Sequence, residues 1–169
     1  MSTITGKKQL TLIFVLDESN KKILLGMKKR GFGHGKFNGF GGKVEKDETI
    51  LEGAHRELEE EAFVTTPELH RVGLLLFTFE NDPKALEVHV FKTNTYNGEP
   101  KESEEMRPEW FSYDAIPYDT MWYDDQYWLP IMLQDKHFIG RFDFKEDQTT
   151  IINEELKTID TELPSEWEL

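Results

Sequence analysis

Three glutamates near the middle of the chain have the residue type and the spacing of a metal site. Glu57, Glu60 and Glu61 lie at positions i, i+3 and i+4 of a predicted helix, so they share one helical face. Like charges at this spacing oppose helix formation by about 0.2–0.5 kcal/mol per pair, so helix stability does not explain the cluster. A divalent cation explains it, because Mg²⁺ takes oxygen ligands and keeps positions open for phosphate oxygens. A solvent-exposed acidic face on an acidic protein is the alternative interpretation.

The helix that carries these glutamates is predicted to begin at a capping box. Thr49 and Glu52 have the Thr-x-x-Glu spacing in which each side chain accepts a hydrogen bond from the backbone of the other residue. Gly53 lies one turn before Glu57 and leaves the acidic face without a side chain at that point. Apolar residues at helical spacing predict one buried stripe, formed by Leu51, Ala54, Leu58 and Ala62.

The stretch from Gly42 to Val64 resembles the Nudix box, G-x5-E-x7-R-E-U-x-E-E-x-G-U, in which U is aliphatic. Phe63 is the one departure, because the family has a Gly there that ends the helix in a left-handed conformation. The resemblance implies an α/β fold, the Nudix α/β/α sandwich with a mixed β-sheet between helices. It also implies hydrolysis of a nucleoside diphosphate linked to a further group. The positions that match in register are Gly42, Glu48, Arg56, Glu57, Leu58, Glu60, Glu61 and Val64.

The flanking segments resemble one branch of that family, the animal MutT-homologue enzymes, from about residue 10 to about residue 156. Members of that branch hydrolyse 8-oxo-dGTP and 2-hydroxy-dATP to monophosphate and pyrophosphate, which removes damaged nucleotides from the DNA precursor pool and prevents mutation. Departures from the branch are Phe37 in place of a Trp, a longer first hairpin around Asp17 to Lys22, and an extended tail. The resemblance is carried by GMKKRGFGHGKFNGFGGKV, Glu105-Met106-Arg107-Pro108 and Met121-Trp122-Tyr-Asp124-Asp125-Gln-Tyr-Trp128.

The same resemblance implies roles for individual residues. The implied catalytic group is Arg56, Glu57, Glu60 and Glu61, in which Arg56 orients a carboxylate; which glutamate accepts a proton stays open. The implied cofactor is Mg²⁺, with Mn²⁺ as an alternative, held by the Gly41 carbonyl, Glu57, Glu60, Glu61 and Glu105. The implied substrate pocket comprises Thr11, Lys28, Phe32, Asn38, Phe40, Phe77, Trp122, Asp124, Asp125 and Trp128.

The residue types of this pocket agree with recognition of a purine. Trp122 and Trp128 offer broad faces for stacking, and Asn38 offers a hydrogen-bond donor and an acceptor. Asp124 and Asp125 are adjacent, and two buried carboxylates in contact do not both ionise readily. One of them is therefore expected to stay protonated and to donate a hydrogen bond to the edge of the base. The alternative is that both tryptophans belong to the core and both aspartates are solvated.

Seven strands are predicted around the helix from apolar runs and alternation. The domain prediction is a single Nudix domain over residues 1–159, followed by a disordered acidic tail over residues 160–169. The predicted strands are 10–16, 23–27, 69–79, 86–95, a strand beginning at Trp110-Phe111, 138–144 and 150–156.

Composition narrows the function further. The 169 residues include 20 Lys and Arg against 33 Asp and Glu, a net charge of −13, which argues against non-specific binding to nucleic acid or to anionic membranes. The chain has no cysteine, and it has no run of 18 apolar residues and no signal-peptide pattern. We therefore expect a cytoplasmic monomer, with a nuclear or mitochondrial fraction, whose partner is a small-molecule nucleotide.

Two other functions are compatible with the sequence. One is hydrolysis of another nucleoside diphosphate derivative, such as ADP-ribose or a modified or methylated purine nucleotide. The other is a nucleotide-binding module without catalysis, although the complete REUxEE core around Arg56 argues against it.

Overall fold

The computed structural model describes residues 3–169, and Met1 and Ser2, the first residues of the predicted domain, lie outside the described part. It contains eight strands, two α-helices and a short 3₁₀ turn at Tyr118–Thr120. The strands are β1 (Gly6–Asp17), β2 (Lys22–Lys28), β3 (Phe37–Asn38), β4 (His70–Phe79), β5 (Lys84–Thr93), β6 (Met106–Ser112), β7 (His137–Phe144) and β8 (Ile151–Ile159). The helices are α1 (Ile50–Ala62) and α2 (Asp125–Leu133).

The strands form one mixed sheet. Its order is β3-β2-β1-β5-β4-β7-β8, and β6, which is outside this path, also pairs with β2. The β1–β5 and β4–β7 pairs are parallel, whereas the remaining pairs are antiparallel. The mixed sheet that the family resemblance implied is thus confirmed.

Each face of the sheet carries its own core, because successive strand residues point to opposite sides. On one face, Ile13 of β1 packs in a buried cluster with Leu58 of α1. On the other face, Phe14 of β1 contacts Trp128 of α2, with ring centroids 5.8 Å apart. The sheet lies between the two helices, which confirms the predicted sandwich.

Helix α1 begins at the predicted capping box. The Thr49 hydroxyl accepts a hydrogen bond from the Glu52 N–H at 3.1 Å, and the Glu52 carboxylate accepts one from the Thr49 N–H at 2.8 Å. The predicted apolar stripe is wrong at Leu51, which is exposed, because Ile50 rather than Leu51 starts the i, i+4 row that packs on the sheet. The helix ends at Phe63, in the left-handed conformation at φ 61° and ψ 28°.

Helix α2 was not predicted from apolar spacing, because its first turn is aromatic and acidic and Pro130 lies inside it. In β6, Trp110 and Phe111 are near the end of the strand, so the prediction that they begin it is wrong. Strand β8 extends to Ile159, past the predicted limit. No helix within residues 3–169 is both long and apolar enough to cross a membrane.

The segment 160–169 packs over the sheet, which corrects the prediction of a disordered tail. Leu163 is 8% exposed. The Trp167 N–H donates to the fully buried carboxylate of Glu87 at 3.0 Å, and Arg71 donates to the Pro164 carbonyl. A few anchoring contacts therefore order a segment whose overall composition is that of a solvated chain.

Candidate active site

One cleft brings most of the predicted site residues together. It has an empty volume of about 970 Å³, part of which is open to solvent. Gly41 and Glu61, from the predicted metal set, line the same space as the predicted substrate pocket. The predicted pocket residues that line it are Thr11, Lys28, Phe32, Asn38, Phe77, Trp122, Asp124, Asp125 and Trp128.

Phe40 is the exception, and the structure corrects its predicted role in substrate binding. Its side chain is fully buried in the α1 core and does not line the cleft. Its backbone exchanges two hydrogen bonds with Ile13 of β1, at 2.6 and 2.9 Å. Phe40 therefore fixes the segment that carries Gly41 instead of contacting a substrate.

The acidic face of α1 is graded from exposed to buried. Glu60 is exposed and Glu57 is partly buried, whereas Glu61 is 4% exposed. The Gly41 N–H donates to Glu61 Oε1 at 2.9 Å, which fixes that carboxylate at the cleft. Burial raises the pKa of Glu61 to about 7 and also raises the pKa of Glu57. Both carboxylates thus lie where a cation would stabilise their charged form.

Arg56 lies beside this face and donates hydrogen bonds to three carboxylates. It binds Glu48 through two nitrogens at 2.7 and 3.0 Å, and this pairing lowers the pKa of Glu48 to about 2. A third nitrogen donates to Glu57 and to Glu60, each at 3.1 Å. Arg56 is therefore placed to orient these carboxylates.

The packing of glycines shows how closely the carboxylates approach the backbone. A Cβ atom at Gly42 would lie 2.7 Å from Glu57 Oε1, and one at Gly53 would lie 2.9 Å from Glu48 Oε1. Any side chain at either position would displace a carboxylate. The missing side chain at Gly53 therefore has a steric reason that the sequence pattern only suggested.

The donor set suits a divalent cation, although within residues 3–169 no three acidic or histidine side chains converge as a ready metal site. Arg56 forms ion pairs with Glu57 and Glu60, each at 3.1 Å. All the predicted ligands offer hard oxygen atoms, and burial penalises charge at Glu57 and Glu61 unless a cation neutralises it. The residues present therefore fit the predicted divalent cation.

Glu105 of the predicted metal set lies in an ion-pair cluster. It bonds Lys28 at 3.2 Å and Arg30 at 2.7 Å, and these partners lower its pKa. Its charge adds to the effects of burial and of Glu57 in raising the pKa of Glu61, so it lies within electrostatic reach of α1. The loop before β6 thus brings one acidic side chain toward the acidic helix.

Asp124 and Asp125 form a buried acidic pair at the start of α2. The Trp128 indole N–H donates to Asp124 Oδ2 at 2.6 Å. Burial raises the pKa of both carboxyls, and the charge of Asp124 raises that of Asp125 further. Asp125 Oδ2 is buried and has no hydrogen-bond partner among residues 3–169. The pair therefore keeps a proton to higher pH than a free aspartate and leaves one oxygen for a ligand.

The two predicted stacking residues have different environments. Trp122 is partly buried and stacks on Phe32, with ring centroids 4.9 Å apart. Trp128 is fully buried, stacks on Phe138 at 5.4 Å and holds Asp124. Trp122 is thus the available aromatic platform, whereas Trp128 is a core residue that orients the acidic pair.

Sequence reasoning missed several residues that line the cleft. The most informative is Lys36, whose ammonium group lies over the Trp122 ring, 5.4 Å from its centroid. Its place in the glycine-rich segment between Phe32 and Phe37 was the available signal. The other missed residues are Leu10, Leu12, Gly33, Gly39, Gly42, Phe79, Leu86, Val88, Met106 and Phe144.

Comparison with known proteins decides the family. The model of the NUDIX domain matches residues 7–131. The chain belongs to the Nudix family. This Nudix chain is 50% identical over 151 residues to the mouse oxidized purine nucleoside triphosphate hydrolase, covering 89% of this chain and 95% of that protein. It is 51% identical over 138 residues to the zebrafish protein of the same name, covering 82% and 87%.

Solved structures agree with this assignment. The Nudix chain is similar to the crystal structure of a mutator MutT protein from Bacillus halodurans, with a TM-score of 0.77 and 27% identity over 88% of this chain and 97% of that one. It also resembles a MutT protein from Methanosarcina mazei, with a TM-score of 0.55 and 26% identity over 66% and 80%. The resemblance found in the box is confirmed, and the protein is a Nudix hydrolase of the kind that uses divalent metal ions.

Proposed function

We propose that this protein hydrolyses oxidised purine nucleoside triphosphates, in particular 8-oxo-dGTP and 2-hydroxy-dATP, to the monophosphate and pyrophosphate. The observation that carries the proposal is the continuity of the cleft, which contains both the buried pair Asp124–Asp125 and Glu61 of the acidic helix. A purine edge at the acidic pair and phosphates near α1 can occupy one space. The names of the mouse and zebrafish relatives support the same substrate class.

The base would be recognised by hydrogen bonds and stacking. Asn38 offers both a donor and an acceptor, and Trp122 offers an aromatic face. An Asp124–Asp125 pair that shares one proton can donate at one oxygen and accept at the others. Oxidised guanine and oxidised adenine present different donor and acceptor patterns, so a shared proton lets one pocket accept both.

The phosphates would lie near the acidic face of α1. Mg²⁺, held by the Gly41 carbonyl, Glu57, Glu60, Glu61 and Glu105, would neutralise phosphate charge and lower the pKa of the attacking water. Arg56 keeps Glu57 and Glu60 in orientation through its bonds at 3.1 Å. The Gly41 N–H fixes Glu61 at 2.9 Å, and Lys28 brings positive charge to the cleft.

The proposal includes Mg²⁺ as the working metal, with Mn²⁺ as the alternative, and the monomer as the working unit. One chain supplies both the predicted metal ligands and the predicted base pocket, so the proposed reaction needs no residue from a second subunit. The cytoplasmic location, with a nuclear or mitochondrial fraction, stays a prediction of the sequence.

A phosphate-release assay tests the proposal. Initial rates are measured with 8-oxo-dGTP, 2-hydroxy-dATP, dGTP and ADP-ribose, in Mg²⁺ and in chelator, and products are identified by chromatography. We expect kcat/KM for the oxidised purines to exceed that for dGTP by about tenfold or more, because the pocket hydrogen-bonds the altered base edge. Equal rates on dGTP, or a preference for ADP-ribose, would overturn the substrate assignment. Absence of hydrolysis of all four nucleotides, both in Mg²⁺ and when the assay is repeated in Mn²⁺, would indicate a non-catalytic module.

A further inference from the structure

The β2–β3 connection fixes Lys36 at the cleft. The Lys36 N–H donates to the Gly33 carbonyl at 3.0 Å, and the Lys36 carbonyl accepts from the Lys28 N–H at 3.0 Å. The backbone of Lys36 is therefore hydrogen-bonded at both its N–H and its carbonyl. Its half-buried side chain is part of the lining of the cleft. Its ammonium group rests over the Trp122 indole, at a distance that allows a cation–π interaction.

The charge of Lys36 is not matched by a carboxylate in direct contact. Lys28, the other lysine of the cleft, is paired with Glu105 at 3.2 Å. Within the described residues 3–169, no acidic oxygen lies within 4.0 Å of the Lys36 ammonium group. A half-buried cation without a salt bridge acts over a longer range, because the surroundings screen it less than water does.

Lys36 and the acidic pair Asp124–Asp125 line the same cleft, with the Trp122 ring that Lys36 covers also in that lining. Lys36 counteracts the effects of burial and of Asp124 on Asp125, since its positive charge lowers the pKa that they raise. Two neutral groups also face the pair, the Trp128 indole from α2 and Tyr118 from the 3₁₀ turn, whose own pKa is raised by burial and by Asp125. Glu61 and Lys28 also line the cleft.

We propose that Lys36 is a positioning residue that acts through the Asp124–Asp125 pair and determines how strongly the pocket prefers one oxidised purine over the other. This inference rests on the proposed function. A pair with one proton presents a donor and acceptors, whereas a fully ionised pair presents acceptors only. A cation beside the pair favours the form with fewer protons. It therefore changes the balance between two base edges that need different hydrogen-bond partners.

The first test reads the acidic pair without any substrate. The Trp128 indole N–H bonds Asp124, so its ¹H–¹⁵N resonance reports ionisation of the pair. Its pH titration is compared in the parent, in Lys36→Met and in Lys36→Arg. The matched control is Lys157→Met, which removes the same charge from the exposed edge strand β8. We expect the midpoint to move to higher pH in Lys36→Met alone, because the cation that favours ionisation is lost.

The second test reads substrate preference. The ratio of kcat/KM for 8-oxo-dGTP to that for 2-hydroxy-dATP is measured against pH in the same four proteins. We expect the pH-dependent part of the ratio to move to higher pH in Lys36→Met, with a change of about threefold or more at a fixed pH, and to stay near the parent profile in Lys36→Arg and Lys157→Met. An equal loss on both substrates with an unmoved profile would show that Lys36 only shapes the loop.

The outcomes separate this inference from the proposed function. An unchanged Trp128 midpoint in Lys36→Met overturns the inference even if the parent enzyme hydrolyses both substrates. A shifted midpoint with an unchanged substrate ratio overturns the role in specificity. If the parent hydrolyses neither oxidised purine, the proposed function fails, and with it the claim about specificity, whereas the titration still decides whether Lys36 acts on the pair.

Discussion

Replacing Phe63 tests how α1, the helix that carries the predicted metal ligands, ends. Phe63 has φ 61° and ψ 28°, and its N–H bonds the Glu59 carbonyl at 3.0 Å. The left-handed conformation costs a residue with a side chain about 1–2 kcal/mol, which Gly avoids. Gly loses roughly 0.5–1 kcal/mol through its greater freedom in the unfolded chain. The ring of Phe63 is 51% exposed, so removing it costs about 1 kcal/mol, roughly half the value for full burial.

These terms nearly cancel for Phe63→Gly but not for Phe63→Ala. We expect the Gly variant to melt near the parent temperature and the Ala variant to melt about 2–4 °C lower, because Ala loses the ring and keeps the strain. Thermal unfolding followed by circular dichroism measures both, and Phe63→Asn, which tolerates the left-handed region, should fall between them. Ala and Gly variants of equal stability would refute the strain. Loss of metal-dependent hydrolysis at unchanged stability would mean that Phe63 contacts the site.

Three further outcomes are expected. Glu60→Gln and Glu61→Gln should each lower kcat/KM by about 100-fold or more without lowering the melting temperature, since an amide is a poorer metal ligand; parent-like rates would contradict the metal assignment. In chelator, burial raises the pKa of Glu61 from 4.5 in the unfolded chain to about 7 in the folded protein. Its contribution to the free energy of unfolding is therefore complete below pH 4.5 and is lost as the pH rises through 7. Glu61→Gln should flatten that part of the stability curve, and parallel curves would disprove the shift. Deleting residues 161–169 should lower the melting temperature by about 4 °C or more through loss of Leu163 burial, with hydrolysis retained because no tail residue lines the cleft; an unchanged melting temperature would contradict the packing.

The parts of the fold that sequence could predict are those encoded by local spacing. The capping box at Thr49 and the shared face of the glutamates follow from the helical period alone. The pair of Arg56 with Glu60 has the i, i+4 spacing of a helix, whereas the pairing of Arg56 with Glu48, which precedes the helix, depends on the folded loop. Local rules thus located the acidic helix well.

The remaining features depend on contacts between distant segments. Phe40 is an aromatic residue in the glycine-rich segment, which made it a candidate for the pocket. The pairing of its backbone with β1 places its ring in the α1 core instead. Trp128 and Trp122 have the same residue type, and the packing of Phe14 and Phe138 against Trp128 distinguishes this core residue from the partly buried Trp122. The tail was misjudged because composition averages over a few anchoring residues.

The packed tail also brings the two ends of the chain together. Lys7, at the start of β1, bonds the Trp167 carbonyl and lies 2.6 Å from Glu87, so both ends meet over the same buried carboxylate. The first hairpin turn, around Asp17 to Lys22, joins β1 to β2, and its residues 18–22 are exposed. A short linker from residue 169 to residue 3, with new ends opened in that hairpin, gives a circular permutant that keeps the anchor intact.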